Sequence, residues 1–459
     1  MIKIDKDLIL KYNKPGPRYT SYPPANHFHN KLELEDYKKA ILESNEQDPA
    51  NISLYVHIPF CPRLCHFCGC NTLGSKNPDL YRQYVDAIKI EINNVAQTLD
   101  RNRKVTQIHW GGGTPNSIPL SLVKEIMDLF REKFNFDENI EVAMECSPAY
   151  LELEDIDALR AMGFNRLSLG IQDFNDHVLD IVNRDASKLP VTSLVGRMRE
   201  QGFDGVNLDI IYGLPGQTPE NFKYNIEKTI EVNPDRIATF SYAHVPWVKK
   251  AQSVLEKVGI PSADEKLVLM EIAFDLLTKN GYMPIGMDHF AKKEDSLFKS
   301  MENNNLHRNF QGYCTKETTG QVYGFGSSSI SQLDNGYYQN TKLVKDYIER
   351  INQTGWAFEK GYQVDLNERV IREVINEVMC NLFVDFAVIG NKFGLSAEEV
   401  KEIVAFDEKN LAEFIQDDLV VLGKDQVKIK ENGAMVIRNI AMAFDPNLTV
   451  AANQYSKTI

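Results

Sequence analysis

An α/β fold, built as a six-unit barrel or partial barrel, is predicted by three observations. Strand-like runs alternate with helical stretches from Ile52 to Tyr242. A parallel arrangement follows, because only a helical crossover returns the chain to begin another strand in the same direction. The residues with chemical potential stand where strands end and loops begin, as they do in barrels of this kind.

The elements follow in order. Ile52–Ile58 reads as a buried strand, and the stretch from about Leu80 to Leu99 as an amphipathic helix. Val105–Trp110 is a second strand running into Gly111–Gly112–Gly113–Thr114–Pro115, with a helix over Leu120–Phe134. Further strands fit Ile140–Cys146, Arg166–Gly170, Val206–Tyr212 and Arg236–Tyr242, with helices at Leu153–Met162, Val191–Gln201 and Pro219–Val232 between them. Tyr282–Met287 fits one more strand. The pattern changes after about Phe290: Gly320–Gln339 is rich in Gly and Ser, and Arg369–Phe383 reads as an amphipathic helix. Phe386–Phe444 reads as helix, hairpin, helix and resembles a small winged-helix-like unit.

Composition bounds the function. The 459 residues are 43% hydrophobic and 25% charged, a globular balance that excludes a disordered or low-complexity chain. With 51 Lys and Arg against 64 Asp and Glu, the net charge is −13. Such a surface repels phosphate backbones and anionic lipid, so neither nucleic acid nor a membrane is an expected partner, and a lid or packing role suits the winged-helix-like unit. Met1–Lys14 mixes acidic and basic residues without an apolar core and does not read as a signal peptide. No run approaches the roughly eighteen apolar residues of a transmembrane helix. A cytosolic location is expected.

Four of the seven cysteines, Cys61, Cys65, Cys68 and Cys70, crowd into "HIPFCPRLCHFCGC" directly after the first strand. In a reducing compartment such a cluster points to metal binding or catalysis rather than to disulfides. Thiolates bind soft metals, and three in one loop can hold three corners of a cubane iron–sulfur cluster, leaving the fourth iron open to a chelating substrate. A structural zinc site usually closes four positions with two pairs of ligands, and no second pair exists here. Cys70 stands too close to Cys68 for the same cubane; it reads either as a residue beside the active site or as a small packing residue. Phe67 could shield a cluster. The glycine run lets backbone groups approach a ligand closely. Glu145 ends the third strand, Gln172 and Asp173 the fourth and Asp209 the fifth, while Arg184 lies in "VNRDAS". Taken singly, each is equally a salt-bridged loop residue.

The spacing C-x3-C-x2-C resembles the signature of the radical S-adenosylmethionine (SAM) enzymes, and Gly111–Pro115 resembles their methionine-binding motif, with Gly–Thr in place of Gly–Glu. The resemblance then narrows. "GPRYTSYPPANHF" (Gly16–Phe28), "LYVHIPFCPRLCHFCGCN" (Leu54–Asn71) and "IHWGGGTP" (Ile108–Pro115) resemble the oxygen-independent coproporphyrinogen III dehydrogenase family. So do "GFNRLSLGIQDFN" (Gly163–Asn175), "NLDIIYGLPGQTPE" (Asn207–Glu220), "GMDHFA" (Gly286–Ala291) and "LHRNFQGY" (Leu306–Tyr313).

That resemblance implies a partial (β/α)6 TIM-like barrel over 46–290, an N-terminal substrate-covering segment over 1–45, and a mostly helical C-terminal domain over 291–459. It implies one 4Fe-4S cluster held by Cys61, Cys65 and Cys68, and two molecules of SAM. The first would be lined by Tyr55, Gly112, Gly113, Thr114, Glu145, Gln172, Arg184, Asp209, Ile211 and Ala243. The second would use Phe67, Cys70, Gly113, Ala243, Gln311 and Ile330, with Cys70 and Gln311 closest to catalysis. The implied reaction converts two propionates of coproporphyrinogen III to vinyl groups by a 5′-deoxyadenosyl radical, in a monomer served by a flavodoxin- or ferredoxin-like electron donor and an electron acceptor. A heme-binding chaperone and a heme-opening methyltransferase share the scaffold; Cys70, Gln311 and the Arg18 segment favour the dehydrogenase. A tetracarboxylate substrate needs placed cations, for which Arg18, Arg63, Arg184 and Arg308 are the candidates. His289 and His307 read equally as core histidines. Cys146–Ser147 and the serine-rich "GFGSSSIS" (Gly324–Ser331) depart from the family pattern.

Overall fold

The computed structural model describes residues 5–448 and 455; residues 1–4 of the charged N-terminal stretch lie outside it. Six parallel strands stand side by side in chain order: β1 (Ile52–Ile58), β2 (Lys104–Gly112), β3 (Asn135–Cys146), β4 (Arg166–Gln172), β5 (Gly205–Tyr212) and β6 (Arg236–Ser241). Each of the first five is followed by the helix that the sequence pattern predicts: Pro78–Thr98, Leu120–Lys133, Leu153–Ala161, Val191–Glu200 and Pro219–Val232 occupy the five crossovers. The ends of the sheet do not pair with each other, so the barrel is open. On the β6 edge the predicted strand is Met283–Ile285, which pairs antiparallel with His289–Ala291.

Register sorts the side chains of this sheet into two faces. Gln107 pairs with Glu141 and His109 with Ala143; Glu145 pairs with Ser168, Ser168 with Asn207, and Gly170 with Asp209. All of these lie on one face, because successive side chains alternate across a strand. The intervening residues Trp110, Met144, Leu167, Leu169, Leu208 and Ile210 are buried on the other face, in the core that the sheet shares with its helices. The hydrophobic driving force is thus satisfied outside the barrel, and the inner face is left polar.

The C-terminal region contributes more sheet than the periodic pattern announces. Gln321–Phe325 adds a seventh parallel strand beside β1, followed by antiparallel strands Ile330–Leu333, Gly336–Asn340 and Phe358–Gln363. Gln321–Phe325 and Gly336–Asn340 are buried at every position, so neither carries the alternation that marks a half-buried strand. Beyond them lie the helix Leu366–Asn381 and a unit of three helices, Phe386–Phe393, Ala397–Ile403 and Glu408–Gln416, with a hairpin (Val420–Leu422, Gln426–Ile429) and a third strand, Phe383–Asp385. This is the winged-helix-like pattern expected from Phe386–Phe444.

The serine-rich Gly324–Ser331 segment is organised by one buried carboxylate. Glu91 accepts hydrogen bonds from the Tyr347 hydroxyl (2.6 Å), Asn340 Nδ2 (2.6 Å) and the Gly326 N–H (2.9 Å). Burial outweighs these three donors and pushes the Glu91 carboxyl up to about 7 from an ordinary 4.5. Because it holds its proton more tightly folded than unfolded, its contribution to stability is present at low pH and is lost as pH rises from 4.5 to 7. The window corresponds to about 3 kcal/mol at most. Denaturant midpoints measured from pH 5 to 8 are therefore expected to fall with pH more steeply in the wild type than in Glu91→Gln; parallel profiles would show that Glu91 does not titrate there.

Candidate active site at the mouth of the barrel

The inner face and the loops at the C-terminal strand ends enclose a cavity of about 380 Å³. Its wall includes Cys61, Phe67, Cys68 and Cys70 from the cysteine loop, Gly112, Gly113 and Thr114 after β2, Glu145, Gln172, Arg184, Asp209, Ile211 and, from the C-terminal region, Gln311. Residues that the sequence scatters over some 250 positions thus face one chamber.

The cysteine loop is threaded against the glycine turn. The Gly113 N–H bonds Ile58 O at 2.7 Å and the Thr114 N–H bonds Phe60 O at 2.9 Å, so β1 and β2 end in contact. A Cβ on Gly113 would stand 2.7 Å from Pro59 O, which explains why this position has none. Thr114 Oγ1 donates to Cys61 Sγ at 3.4 Å, Arg184 Nη1 to Cys65 Sγ at 3.6 Å, and the Cys70 N–H to Cys68 Sγ at 3.4 Å. Each of the three sulfurs therefore has its own donor, suited to thiolates carrying negative charge. Hydrogen bonds from Cys70 lower the Cys68 thiol to about 6 against the effect of burial, whereas burial pushes Cys61 up to about 11. Among the described residues no three His, Cys, Asp or Glu side chains converge as ligands of a single ion. A cubane, which takes each thiolate at a different corner, fits this spaced set.

The remaining wall is polar and incompletely paired. Glu145 accepts from His109 Nε2 at 3.0 Å. Burial acts to raise its carboxyl, but His109 and the Gly112 N–H together hold it below the ordinary value. Asp209 accepts from Ser168 Oγ at 2.9 Å and Asn207 Nδ2 at 2.7 Å, yet burial and the neighbouring Glu145 push it up to about 6. Arg184 Nη2 donates to Gly170 O. Six buried polar atoms around the cavity lack a hydrogen-bond partner: Gln107 Oε1, Arg166 Nη1, Gln172 Oε1, Asn207 Oδ1, Asn309 Nδ2 and Gln311 Oε1. Leaving such atoms bare is costly, so the chamber is shaped for a ligand rich in hydrogen-bonding groups. A zwitterionic amino acid joined to a nucleoside has those groups, and the donor set fits both SAM and the cluster.

Other expected residues fall at the margin or elsewhere. Tyr55 lies beneath the wall, stacked on His109 with ring centroids 6.1 Å apart. Ala243 is exposed just past β6, and Ile330 packs with Phe28, Phe310 and Tyr337; neither lines the cavity. Asp173 turns away to Gln217 Nε2 (2.7 Å) and caps the following turn. Arg63 is engaged by Asp185 at 2.6 Å and Asn183 at 2.8 Å on the surface, so its guanidinium is already used. His307 is half-buried on its strand, and desolvation there lowers it to about 4 and keeps it neutral. Cys146 is a core residue, and Ser147 is held by Asn116. Arg308 is buried over the Tyr313 ring and donates to Arg18 O; Asp288 is held low, against burial, chiefly by its hydrogen bond with His289 at the cavity wall (2.7 Å), with smaller help from Arg308 and the exposed Arg18. His109, inside the motif Ile108–Pro115, and His289, read equally as a core histidine, both stand at the wall without a role assigned from the sequence. Their signal is the alternation of polar and apolar residues along "QIHWG" and "DHFA".

The comparisons agree with this geometry. Residues 55–228 match the family model described as the Radical SAM superfamily. The oxygen-independent coproporphyrinogen III oxidase of Salmonella typhimurium is 40% identical over 100% of this chain and 99% of its own. The enzyme of the same name from Helicobacter pylori is 35% identical over 100% of both. The solved coproporphyrinogen III oxidase (HemN) from Escherichia coli, described as a radical SAM enzyme, superposes with a TM-score of 0.90 at 38% identity, covering 97% of this chain and 100% of that one. With such likeness over its whole length, and with Cys61 and Cys68 at the wall of the polar chamber and Cys65 bonded to its Arg184, this chain belongs to the oxygen-independent coproporphyrinogen III oxidase family of radical SAM enzymes.

Proposed function

We propose that the chain oxidatively decarboxylates two propionate side chains of coproporphyrinogen III to vinyl groups, giving protoporphyrinogen IX without molecular oxygen, in the cytosol and as a monomer. The observation that carries this reading is that Cys61 and Cys68, with Cys65 bonded to the wall residue Arg184, share one chamber with Gln311 in a chain whose relatives bear that name throughout their length. The propionate β-hydrogen has no useful acidity, so a base cannot remove it. The cluster and SAM, when bound, supply a 5′-deoxyadenosyl radical capable of taking that hydrogen as an atom.

The protein's part is to bind, orient and exclude. Cys61, Cys65 and Cys68 hold the cluster. Glu145, kept ionised by His109, receives the SAM ammonium group; Arg184 serves its carboxylate, Asp209 and Gln172 its ribose, and Gly112, Gly113 and Thr114 the methionyl backbone. Ile211 completes the wall of the first site, with Tyr55 beneath it stacked on His109. A second SAM is received by Phe67, Cys70, Gly113 and Gln311, with Cys70 and Gln311 nearest the reacting carbon. Arg18 and Arg308 take substrate carboxylates. A flavodoxin- or ferredoxin-like protein supplies electrons, and an acceptor removes the one left after carbon dioxide departs.

Anaerobically reconstituted protein given SAM, a chemical reductant and coproporphyrinogen III should release carbon dioxide and form vinyl product. Stoichiometric heme binding without either product would overturn the assignment. Arg18→Ala is expected to raise KM for coproporphyrinogen III about tenfold, the size of one lost charged hydrogen bond, with SAM cleavage intact. An unchanged KM would return Arg18 to the surface.

A further inference from the structure

The segment after β6 carries a feature that the reaction chamber does not use. Between His244 and Val258 four large apolar side chains are turned to solvent: Trp247 is 56% exposed, Val248 65%, Val254 45% and Val258 53%. Isolated apolar residues on a surface are ordinary, but four within one short segment, led by a tryptophan, form a patch that asks for a partner. Two exposed lysines, Lys250 and Lys257, accompany them. The local anion, Glu256, is paired with His244 Nε2 at 3.0 Å. On a chain of net charge −13 this is a local apolar and cationic island.

The same segment is fastened to the cysteine loop. Lys249 Nζ donates to Cys70 O at 2.7 Å, and Gln252 Nε2 donates to Phe67 O at 2.9 Å and to Ala243 O at 3.3 Å. Gln252 Oε1 accepts the Val245 N–H at 2.6 Å, so the segment is folded on itself as well. Leu255 is buried in a cluster that also packs Phe67. The exposed patch is therefore the outer surface of a brace whose inner surface grips the loop bearing Cys68.

We propose that Trp247, Val248, Lys250 and Val254 form the docking surface for the one-electron donor, a small acidic redox protein. The inference rests on the cluster assignment above. One electron passes per SAM cleaved: the carrier is oxidised by one electron and the cluster reduced by one, with no bond or proton transferred between the proteins. Charge selects the partner class, because lysines beside an apolar contact match an acidic rim around an exposed cofactor edge. The overall negative charge opposes an acidic carrier at long range, but at physiological salt the Debye length is about 8 Å, so in the docked complex the local lysines dominate. The complex should be transient, like other small electron-transfer encounters.

Flavodoxin is the probe, and two variants are compared with the wild-type holoenzyme: Lys250→Glu, and Trp247→Ala with Lys250→Glu. Without turnover, carbodiimide coupling of lysine to flavodoxin carboxylates should map to Lys250 or Lys257, and the yield should fall at least fivefold in the double variant. Bleaching of the cluster absorbance by flavodoxin hydroquinone should slow about tenfold, while decarboxylation driven by dithionite stays at the wild-type rate. Cross-links mapping elsewhere with unchanged bleaching would overturn the proposal. So would a raised KM for coproporphyrinogen III under dithionite, which would make the patch a cover for the substrate mouth. If the function itself is misassigned, the wild type fails with dithionite, a result separate from all of these.

Discussion

Cys68→Ala is expected to leave protein that folds but retains neither the brown absorbance of an iron–sulfur cluster nor measurable decarboxylation. Cys61, Cys65 and Cys68 each hold a separate donor to sulfur, from Thr114, Arg184 and the Cys70 N–H respectively. Removing a residue that merely supports a metal ligand typically costs about 10–100-fold. Deleting a ligand itself, in a set of three, should exceed that and end turnover. Cys70→Ser provides the contrast. Its backbone N–H, which reaches Cys68 Sγ, survives the substitution, so iron should be retained while turnover falls. Iron and sulfide analysis beside an anaerobic SAM-cleavage assay reads both outcomes. Full iron in Cys68→Ala together with iron loss in Cys70→Ser would exchange the roles of the two residues.

Much of this architecture is legible in the chain because two periodicities coincide with it. The six strands and their crossover helices carry hydrophobic faces turned to a common core, and the strand ends carry the motifs. Gln321–Phe325 is hidden for the opposite reason: it is buried on all sides, so it carries no alternation, and its strand-forming Val322, Tyr323 and Phe325 stand within a run rich in Gly and Ser. The short helix Asp176–Ile181 and the long Ala263–Lys279 likewise fall outside the expected elements.

In the site, the sequence motifs locate wall residues that stand at strand ends, such as Glu145 and Asp209. Residues that act through strand parity are harder to find. His109 gains meaning only once β2 and β3 pair, which brings its imidazole to Glu145, and Gln107 and Arg166 only once register places both on the inner face. Arg63 errs in the other direction. It stands within the cysteine motif, but the fold brings Asp185 and Asn183 to it across more than a hundred residues of chain. Nothing local in the sequence could announce that pairing.

The turn behind the cluster is the place where one methyl group should do most damage without removing a ligand. Gly112 has φ +114°, and a Cβ built there would meet His57 Cε1 at 2.7 Å, Nδ1 at 2.8 Å and Nε2 at 2.9 Å. The imidazole has little freedom to yield, being held by the Tyr55 hydroxyl at 3.1 Å and by Asn71 O at 3.0 Å. Gly112→Ala must therefore bear a backbone conformation costing of order 1–3 kcal/mol and also displace the turn. That turn carries the N–H that helps keep Glu145 ionised and leads into Gly113 and Thr114. A shift of about 1 Å in such a positioning group can cost about a hundredfold. We expect kcat/KM for SAM cleavage to fall by that factor with iron content unchanged. Gly196→Ala is the matched control. It lies within the helix Val191–Glu200, where a Cβ meets nothing within 4 Å, so activity should be unaltered and stability should rise by about 0.5–1 kcal/mol. Wild-type SAM cleavage in Gly112→Ala would remove the glycine turn from the site and leave the thiols and carboxylates to orient the cofactor alone.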